Sequence, residues 1–220
     1  MAHLDPSLYL IVDPAQCHHA TPGEVARLSV AGGTTLVQVR DKRSSTREFI
    51  AHARSIIEAV SATRVPVVIN DRVDVALASG AAGVHLGQDD MEVDTARRLL
   101  GEDAIIGLTV HSHAEVDDAP LEVVDYISVG GIFATRSKRN PDPPIGLEGF
   151  VHIVDRIRQL RPQLPVVAIS GITLETVGPL IAAGADGVAV ISAVSDDPDH
   201  QAATTRLRDA IDAERMEASR

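Results

Sequence analysis

Residues 65–90 read VPVVINDRVDVALASGAAGVHLGQDD, and this stretch decides the fold. Residues 65–69 are apolar and rich in valine and isoleucine, as expected of a strand buried on both faces. Residues 72–78 then carry apolar side chains at helical spacing, with Gly80 where a helix would stop. A second apolar run, 83–86, follows almost at once. Strand, helix, strand in this order implies parallel pairing, because the crossover must return the chain to the end from which it started.

The same alternation extends in both directions. Apolar runs at 8–12, 35–39, 105–109, 126–129, 166–169 and 187–191 complete a set of eight predicted strands. Between them, Phe49, Ile50, Ala53, Ile56, Ile57 and Val60 form one amphipathic stripe, and Leu147, Phe150, Val151, Val154 and Ile157 form another. Thr21-Pro22-Gly23-Glu24 combines an N-cap, a proline at the first helical position and a glutamate at the third. Gly32, Gly101 and Gly184 stand at further helix ends. Eight strand–helix units of about 27 residues predict an α/β fold, a (β/α)8 TIM barrel forming a single domain over residues 1–220. An open doubly wound sheet is the alternative, but no glycine-rich fingerprint follows the first strand. Gly178-Pro179 predicts a kink in the seventh helix, and no close internal repeat is visible.

Composition narrows the function. With 45% hydrophobic and 23% charged residues the chain has a globular balance rather than a disordered one. A net charge of -11, two Tyr, three Phe and no Trp argue against nucleic-acid binding. No apolar run approaches the roughly 18 residues that a membrane span needs. The first residues, MAHLDPSLYLIVD, lack the basic segment of a signal peptide, and the lone Cys17 suits a reducing compartment, so a cytoplasmic location is expected. Self-association is left open, a homo-oligomer being as compatible with the sequence as a monomer.

In a barrel of this kind chemistry sits at the carboxyl ends of the strands. There the sequence places Asp13; Gln38, Arg40 and Lys42; Asn70 and Asp71; Gly87-Gln88-Asp89-Asp90; Thr109 and His111; Thr135, Arg136, Ser137 and Lys138; Ser170-Gly171; and Ile191-Ser192. Each has an ordinary reading. Asp71, Asp89 or Asp90 could cap the helix that follows, Arg40 and Lys42 could be solvated surface charges, and Ser170-Gly171-Ile172-Thr173 could be a plain turn. Together they allow a functional one. Two carboxylates at adjacent strand ends are a common way to hold Mg²⁺ when substrate phosphates supply other ligands. Glycines and hydroxyls leading into helices after strands seven and eight are the usual phosphate site of barrels. His18-His19 beside Cys17 matches no recognised zinc spacing and reads as a solvated loop, while His85 reads as a hydrogen-bonded interior residue. His111, at the end of strand five, is a plausible site residue. The residues alone thus point to an enzyme that binds phosphate and Mg²⁺.

Taken together, these segments resemble the thiamine phosphate synthase family from Leu8 to about Val194. The matching stretches are LYLIVD (8–13), QVRDK (38–42), INDRVDVALASGAAGVHLGQDD (69–90), DYISVG (125–130), FATRSK (133–138) with GLEG (146–149), and GADGVAVIS (184–192). The resemblance implies a transferase that joins 4-amino-2-methyl-5-hydroxymethylpyrimidine diphosphate to a thiazole phosphate, carboxylated or not, and releases pyrophosphate. It further implies that Gln38, Arg40 and Lys42 contact the pyrimidine and its diphosphate, that Asn70 holds diphosphate, and that Asp71 and Asp90 bind Mg²⁺. Thr109 takes the place of a usual serine near the pyrimidine. Thr135, Ser137 and Lys138 match a T-x-T-K loop, and Gly171, Ile191 and Ser192 match phosphate-binding backbone positions. Arg40, Lys42 and Lys138 are then the expected catalytic cations, acting on charge that develops as diphosphate leaves.

Two departures from the family pattern bear on the same region. Gly130-Gly131-Ile132-Phe133-Ala134 lacks the loop's common prolines, and Ser170 replaces a frequent glycine. The long segment 134–145, with Arg136, Lys138 and Arg139 among three prolines, is expected to close over the diphosphate and exclude water. Two rivals remain open. One is a thiazole tautomerase on the same barrel, which shares the histidine at position 111 but usually lacks the Asn-Asp aspartate and the GQ.D segment. The other is a phosphate-binding barrel without catalysis. A turnover assay separates all three.

Overall fold

The computed structural model describes residues 4–135 and 143–218. Its eight strands are β1 Leu8–Val12, β2 Leu36–Val39, β3 Val67–Asn70, β4 Gly83–Leu86, β5 Ile105–Val110, β6 Tyr126–Val129, β7 Val166–Ile169 and β8 Gly187–Val190. They pair in sequence order, all parallel, and β8 returns to β1 to close the barrel. The closed sheet decides between the two architectures in favour of the (β/α)8 barrel. The expected strand at 65–69 starts later, at Val67. Pro66 has no N–H to give the ladder, and only its carbonyl takes part, accepting from the Val37 amide at 3.0 Å.

The helices lie outside: α1 Pro22–Ala31, α2 Thr46–Val60, α3 Val73–Ser79, α4 Val93–Leu100, α5 His113–Asp118, α6 Gly146–Leu160, α7 Leu174–Ala182, a short α8 Ser192–Ser195, and α9 His200–Ala218. The capping box at Thr21 and Glu24 forms in full, and Ser45 and Glu48 build a second one at the start of α2. Of the stripe the sequence predicts on α2, Phe49, Ala53, Ile56 and Val60 are buried, and Ile50 and Ile57 are half-buried against the same core. Helix α7 continues through Pro179 to Ala182, so the proline does not end it.

The barrel has two apolar layers. Outward-facing strand residues such as Leu10, Val37, Ile69 and Val129 pack under the helices. Inward-facing Tyr9, Ile11, Leu36, Val68, Tyr126, Val167 and Ala189 fill the barrel itself. Bulky rings fit there because glycine occupies facing positions. At Gly107 a Cβ would lie 2.1 Å from Tyr126 Cζ.

Two matching clamps close the amino-terminal end. Arg97 of α4 donates to the carbonyls of Ala104 and Val123 and to Asp125, whose Oδ2 also accepts from the Ile106 amide at 2.7 Å. Arg158 of α6 repeats the construction with Leu164, Gly184, Asp186 and the Val166 amide. The repeat is carried by a sparse sequence spacing: Arg97 and Arg158 lie 61 positions apart, as do Asp125 and Asp186. Arg97→Met strands several carbonyls and the Asp125 carboxylate, so stability is expected to fall by about 2–3 kcal/mol. Urea unfolding should show this as a lower midpoint. Because the clamp lies at the end opposite the site, activity per folded molecule should not change.

Candidate functional site

The carboxyl ends of the strands gather the polar residues onto one rim. Asp13 directly follows β1 and is 7% exposed. Its carboxylate accepts from the Ala15 amide at 3.0 Å, capping the 3-10 turn Pro14–Gln16, and from Arg40 Nη1 at 2.7 Å. The guanidinium is therefore held from beneath by a fixed, nearly buried anion. Gln38 points into the barrel at 2% exposure, whereas Lys42 reaches across to β3 and pairs with Asp71.

Asp71 does not cap α3. The cap position is Arg72, which makes no capping bond with its side chain, and α4 is preceded by Glu92 rather than by Asp89 or Asp90. The ordinary reading of these carboxylates therefore fails. Asp71 instead adopts a left-handed conformation, φ 61°, pinned by its amide to the His85 carbonyl at 2.8 Å. Aspartate tolerates that region better than most residues, at a cost of about 1 kcal/mol. The turn after β4 is folded by Asp90, whose Oδ2 accepts from the Gly87 amide at 2.8 Å. Gln88 sends its amide to the Thr109 carbonyl at 2.7 Å, tying this turn to β5.

These turns bring the Asp71 and Asp90 carboxyls close enough to interact electrostatically. Burial, and then the adjoining Asp71, raise the Asp90 pKa above its ordinary value. No cluster of three or more metal-binding side chains occurs among the described residues. Two carboxylates nevertheless suit Mg²⁺, a hard cation that takes its remaining oxygens from water and phosphate. A cation between Asp71 and Asp90 would also relieve the repulsion that raises the Asp90 pKa.

On β5, Thr109 is 8% exposed and directed inward, while the His111 amide and Nδ1 both meet Glu115 Oε2, at 2.7 and 3.2 Å. The turns after β6 and β7 are joined. The Gly131 amide donates to Ser170 Oγ at 3.2 Å, and the Phe133 amide donates to the Ser170 carbonyl at 3.1 Å. The two departures from the family pattern are thus one feature, since a proline at 131 would have no N–H for the Ser170 hydroxyl. Ser170 and Gly171 both have positive φ, 88° and 68°. A Cβ at Gly171 would lie 2.5 Å from the Ala134 carbonyl, so glycine is required for the β6 turn to approach. Thr135 lies at the end of the described part of that turn. Further along the chain, the Ile145 and Gly146 amides bind back to the Gly131 and Ile132 carbonyls at 3.0 and 2.9 Å. Ile191 precedes α8 and Ser192 opens it, completing the rim.

Ser137 and Lys138 fall within 136–142 and so lie outside the described residues, as does the central part of the expected lid. Cys17 donates to the Asp13 carbonyl at 3.4 Å, and burial raises its thiol to about 11, which keeps it from acting as a nucleophile. Two groups received no role from the sequence. One is Asp13, whose position after β1 was the only available signal. The other is the pair of tyrosines inside the barrel, Tyr9 and Tyr126, beside His85, which is the hydrogen-bonded interior residue that the sequence predicts.

The architecture and rim define the class: a (β/α)8-barrel protein with carboxylates, cations and tight glycine turns converging at the carboxyl end of the sheet. The family model described as thiamine monophosphate synthase matches residues 8–194, and the chain belongs to that family. It is 52% identical to the thiamine-phosphate synthase of Agrobacterium fabrum, with 97% of each chain covered. It is 42% identical to that of Clostridium novyi, covering 91% of this chain and 96% of the relative. The solved thiamine phosphate pyrophosphorylase of Pyrococcus furiosus superposes with a TM-score of 0.83 at 33% identity, covering 97% of this chain and 99% of that one.

Proposed function

We propose that this protein condenses 4-amino-2-methyl-5-hydroxymethylpyrimidine diphosphate with 4-methyl-5-(2-phosphoethyl)thiazole, or its carboxylated form, to give thiamine phosphate and pyrophosphate. Family membership over nearly the whole chain supports the reaction. The observation that carries the site is the Lys42–Asp71 ion pair with the Asp90 carboxyl close enough to feel both charges, two carboxyls and a cation from three different strand ends. Asp71 and Asp90 would hold Mg²⁺, which when bound neutralises diphosphate oxygens and makes diphosphate a better leaving group.

The remaining roles fall to the chain's own groups. Asn70, Arg40, Lys42 and Lys138 bind the diphosphate. Arg40, Lys42 and Lys138 also stabilise the charge that grows as the C–O bond breaks. Lys42 can transfer its attention from Asp71 to phosphate once that carboxylate has a metal to neutralise it. The aminopyrimidine delocalises the resulting cation, so no protein nucleophile is needed, and the thiazole nitrogen captures it. Gln38 and Thr109 orient the pyrimidine. Thr135, Ser137, Gly171, Ile191 and Ser192 hold the thiazole phosphate and the departing diphosphate. Substrates of this size and charge suit a cytoplasmic enzyme, and no helix among the described residues is long and apolar enough to cross a membrane.

Incubation with both substrates and Mg²⁺ should yield thiamine phosphate and pyrophosphate in equal amounts. Isomerisation of the thiazole without transfer, or binding without turnover, would reject the proposal. Arg40→Met is expected to lower kcat/KM by roughly 10²-fold, with a fall in kcat, as for loss of one transition-state stabiliser. An effect confined to KM would show uniform binding instead.

A further inference from the structure

Both tyrosines of the chain, Tyr9 and Tyr126, meet inside the barrel, with their hydroxyls 2.8 Å apart. They are the middle of a longer chain of contacts. The Gln38 side-chain amide donates from Nε2 to the Tyr9 hydroxyl. At the other end the Tyr126 hydroxyl is 2.8 Å from His85 Nδ1, and His85 Nε2 is 2.7 Å from Thr109 Oγ1. The rings are packed as well as bonded. Tyr9 meets Tyr126 edge-on, and His85 stacks on Tyr126 with centroids 5.5 Å apart. Tyr9 and Tyr126 are inaccessible to solvent. Burial pushes both phenols well above their ordinary range, so each remains a neutral hydroxyl.

With a neutral imidazole at His85, a chain of such donors and acceptors runs in one direction. Gln38 supplies an N–H, so the Tyr9 oxygen accepts and its hydrogen passes to Tyr126. The Tyr126 hydrogen then passes to His85 Nδ1. With Nδ1 accepting, the proton of a neutral imidazole sits on Nε2 and is donated to Thr109 Oγ1. Reversing the order from Thr109 would leave the Tyr9 O–H facing an N–H, an unpaired donor in a buried site. The polarity at Gln38 therefore determines the polarity at Thr109, across the barrel.

Resting on the pyrimidine-transfer reading, we propose that Tyr9, Tyr126 and His85 are positioning residues that make Thr109 a hydrogen-bond donor and leave the Gln38 amide oxygen an acceptor. This pair is complementary to an aminopyrimidine, whose ring nitrogen accepts and whose exocyclic amino group donates. It disfavours the oxo-pyrimidine in which those two functions are exchanged, because both ends would then face like with like. The relay holds the discrimination in the interior, where no substrate contact can disturb it.

Two measurements on the intact protein test this. Long-range ¹H–¹⁵N correlation spectra of ¹⁵N-histidine-labelled protein, with the His85 signal identified by its loss in His85→Gln, should show a neutral ring protonated on Nε2. Tyr126→Phe, which keeps the ring but removes the link, should shift that signal toward a mixture of tautomers. The same variant should raise KM for the pyrimidine diphosphate about tenfold and leave KM for the thiazole phosphate unchanged. Should Tyr126→Phe fail to fold, Tyr9→Phe interrupts the same relay one link earlier. A ring protonated on Nδ1, or on both nitrogens, in the wild type would overturn the relay. Unchanged pyrimidine KM in a folded variant would overturn its role in recognition. If the wild type made no thiamine phosphate, the transferase reading and the aminopyrimidine would fall together, while the tautomer would still decide the direction of the relay.

Discussion

Asp90→Asn is expected to reduce turnover by at least about a thousandfold while leaving the protein folded, and Asp71→Asn should do the same. The size follows from the several kcal/mol of charge stabilisation that a metal ion contributes to a departing diphosphate, at about 1.4 kcal/mol per factor of ten. Asparagine is the informative replacement. At Asp71 it tolerates the left-handed backbone, φ 61°, where alanine would add strain. At Asp90 it retains an oxygen for the Gly87 amide, so the turn survives. The sign of the stability effect separates a metal site from a structural carboxylate. The Asp90 pKa is raised in the folded state, so its charged form is disfavoured there relative to the unfolded chain. Removing the charge at neutral pH should therefore leave the melting temperature unchanged or higher. A lower melting temperature would mean that Asp90 supports the fold. Removal of Mg²⁺ by a chelator should abolish wild-type activity, and its return should restore it; full activity in excess chelator would reject the metal.

The second large effect concerns stability. Gly107→Ala should cost about 3 kcal/mol or more, or prevent accumulation of folded protein, because the new methyl would lie 2.1 Å from Tyr126 Cζ and 2.4 Å from its oxygen. The ring has nowhere to retreat, being fully buried, stacked on His85 and edge-on to Tyr9. Tyr126→Ala in the Gly107→Ala background should recover part of the loss, since it removes the atoms in collision. Denaturant unfolding of the two single variants and the double variant tests this. Additive losses would show that the collision is not what destabilises Gly107→Ala. Gly83→Ala offers no such rescue, because the obstacle there is the Ile105 backbone carbonyl at 1.8 Å.

Much of the rim was legible in the linear chain because strand ends are local. The positions that follow a strand can be read wherever the strand can, which is why Arg40, Asn70, Asp71, Asp90, Ser170 and Ser192 could be placed on one edge before any coordinates. What happens between those residues was not legible. Lys42 reads as a free cation on a QxRxK pattern, yet it spends its charge on Asp71. Asp13 reads as the end of a strand, yet it anchors Arg40. The absent loop prolines and the extra serine read as two unrelated departures, yet they meet in one hydrogen bond between Gly131 and Ser170.

The sequence by itself determined the alternation of strand and helix, the helix caps, the parallel order of the strands and the edge on which chemistry would sit. These depend on hydrophobic period, on capping residues and on the carboxyl-end rule, all of which act over a few neighbouring residues. The tertiary structure alone decided which polar side chains pair. Tyr9 and Tyr126 are separated by 117 positions, and nothing in either local sequence indicates the other. They meet because closing eight tilted strands brings alternate inward positions to a shared level, and the glycine at 107 leaves room for a ring. Hydrogen bonds across that interior are set by three-dimensional proximity in a medium without water, where every buried donor must find an acceptor.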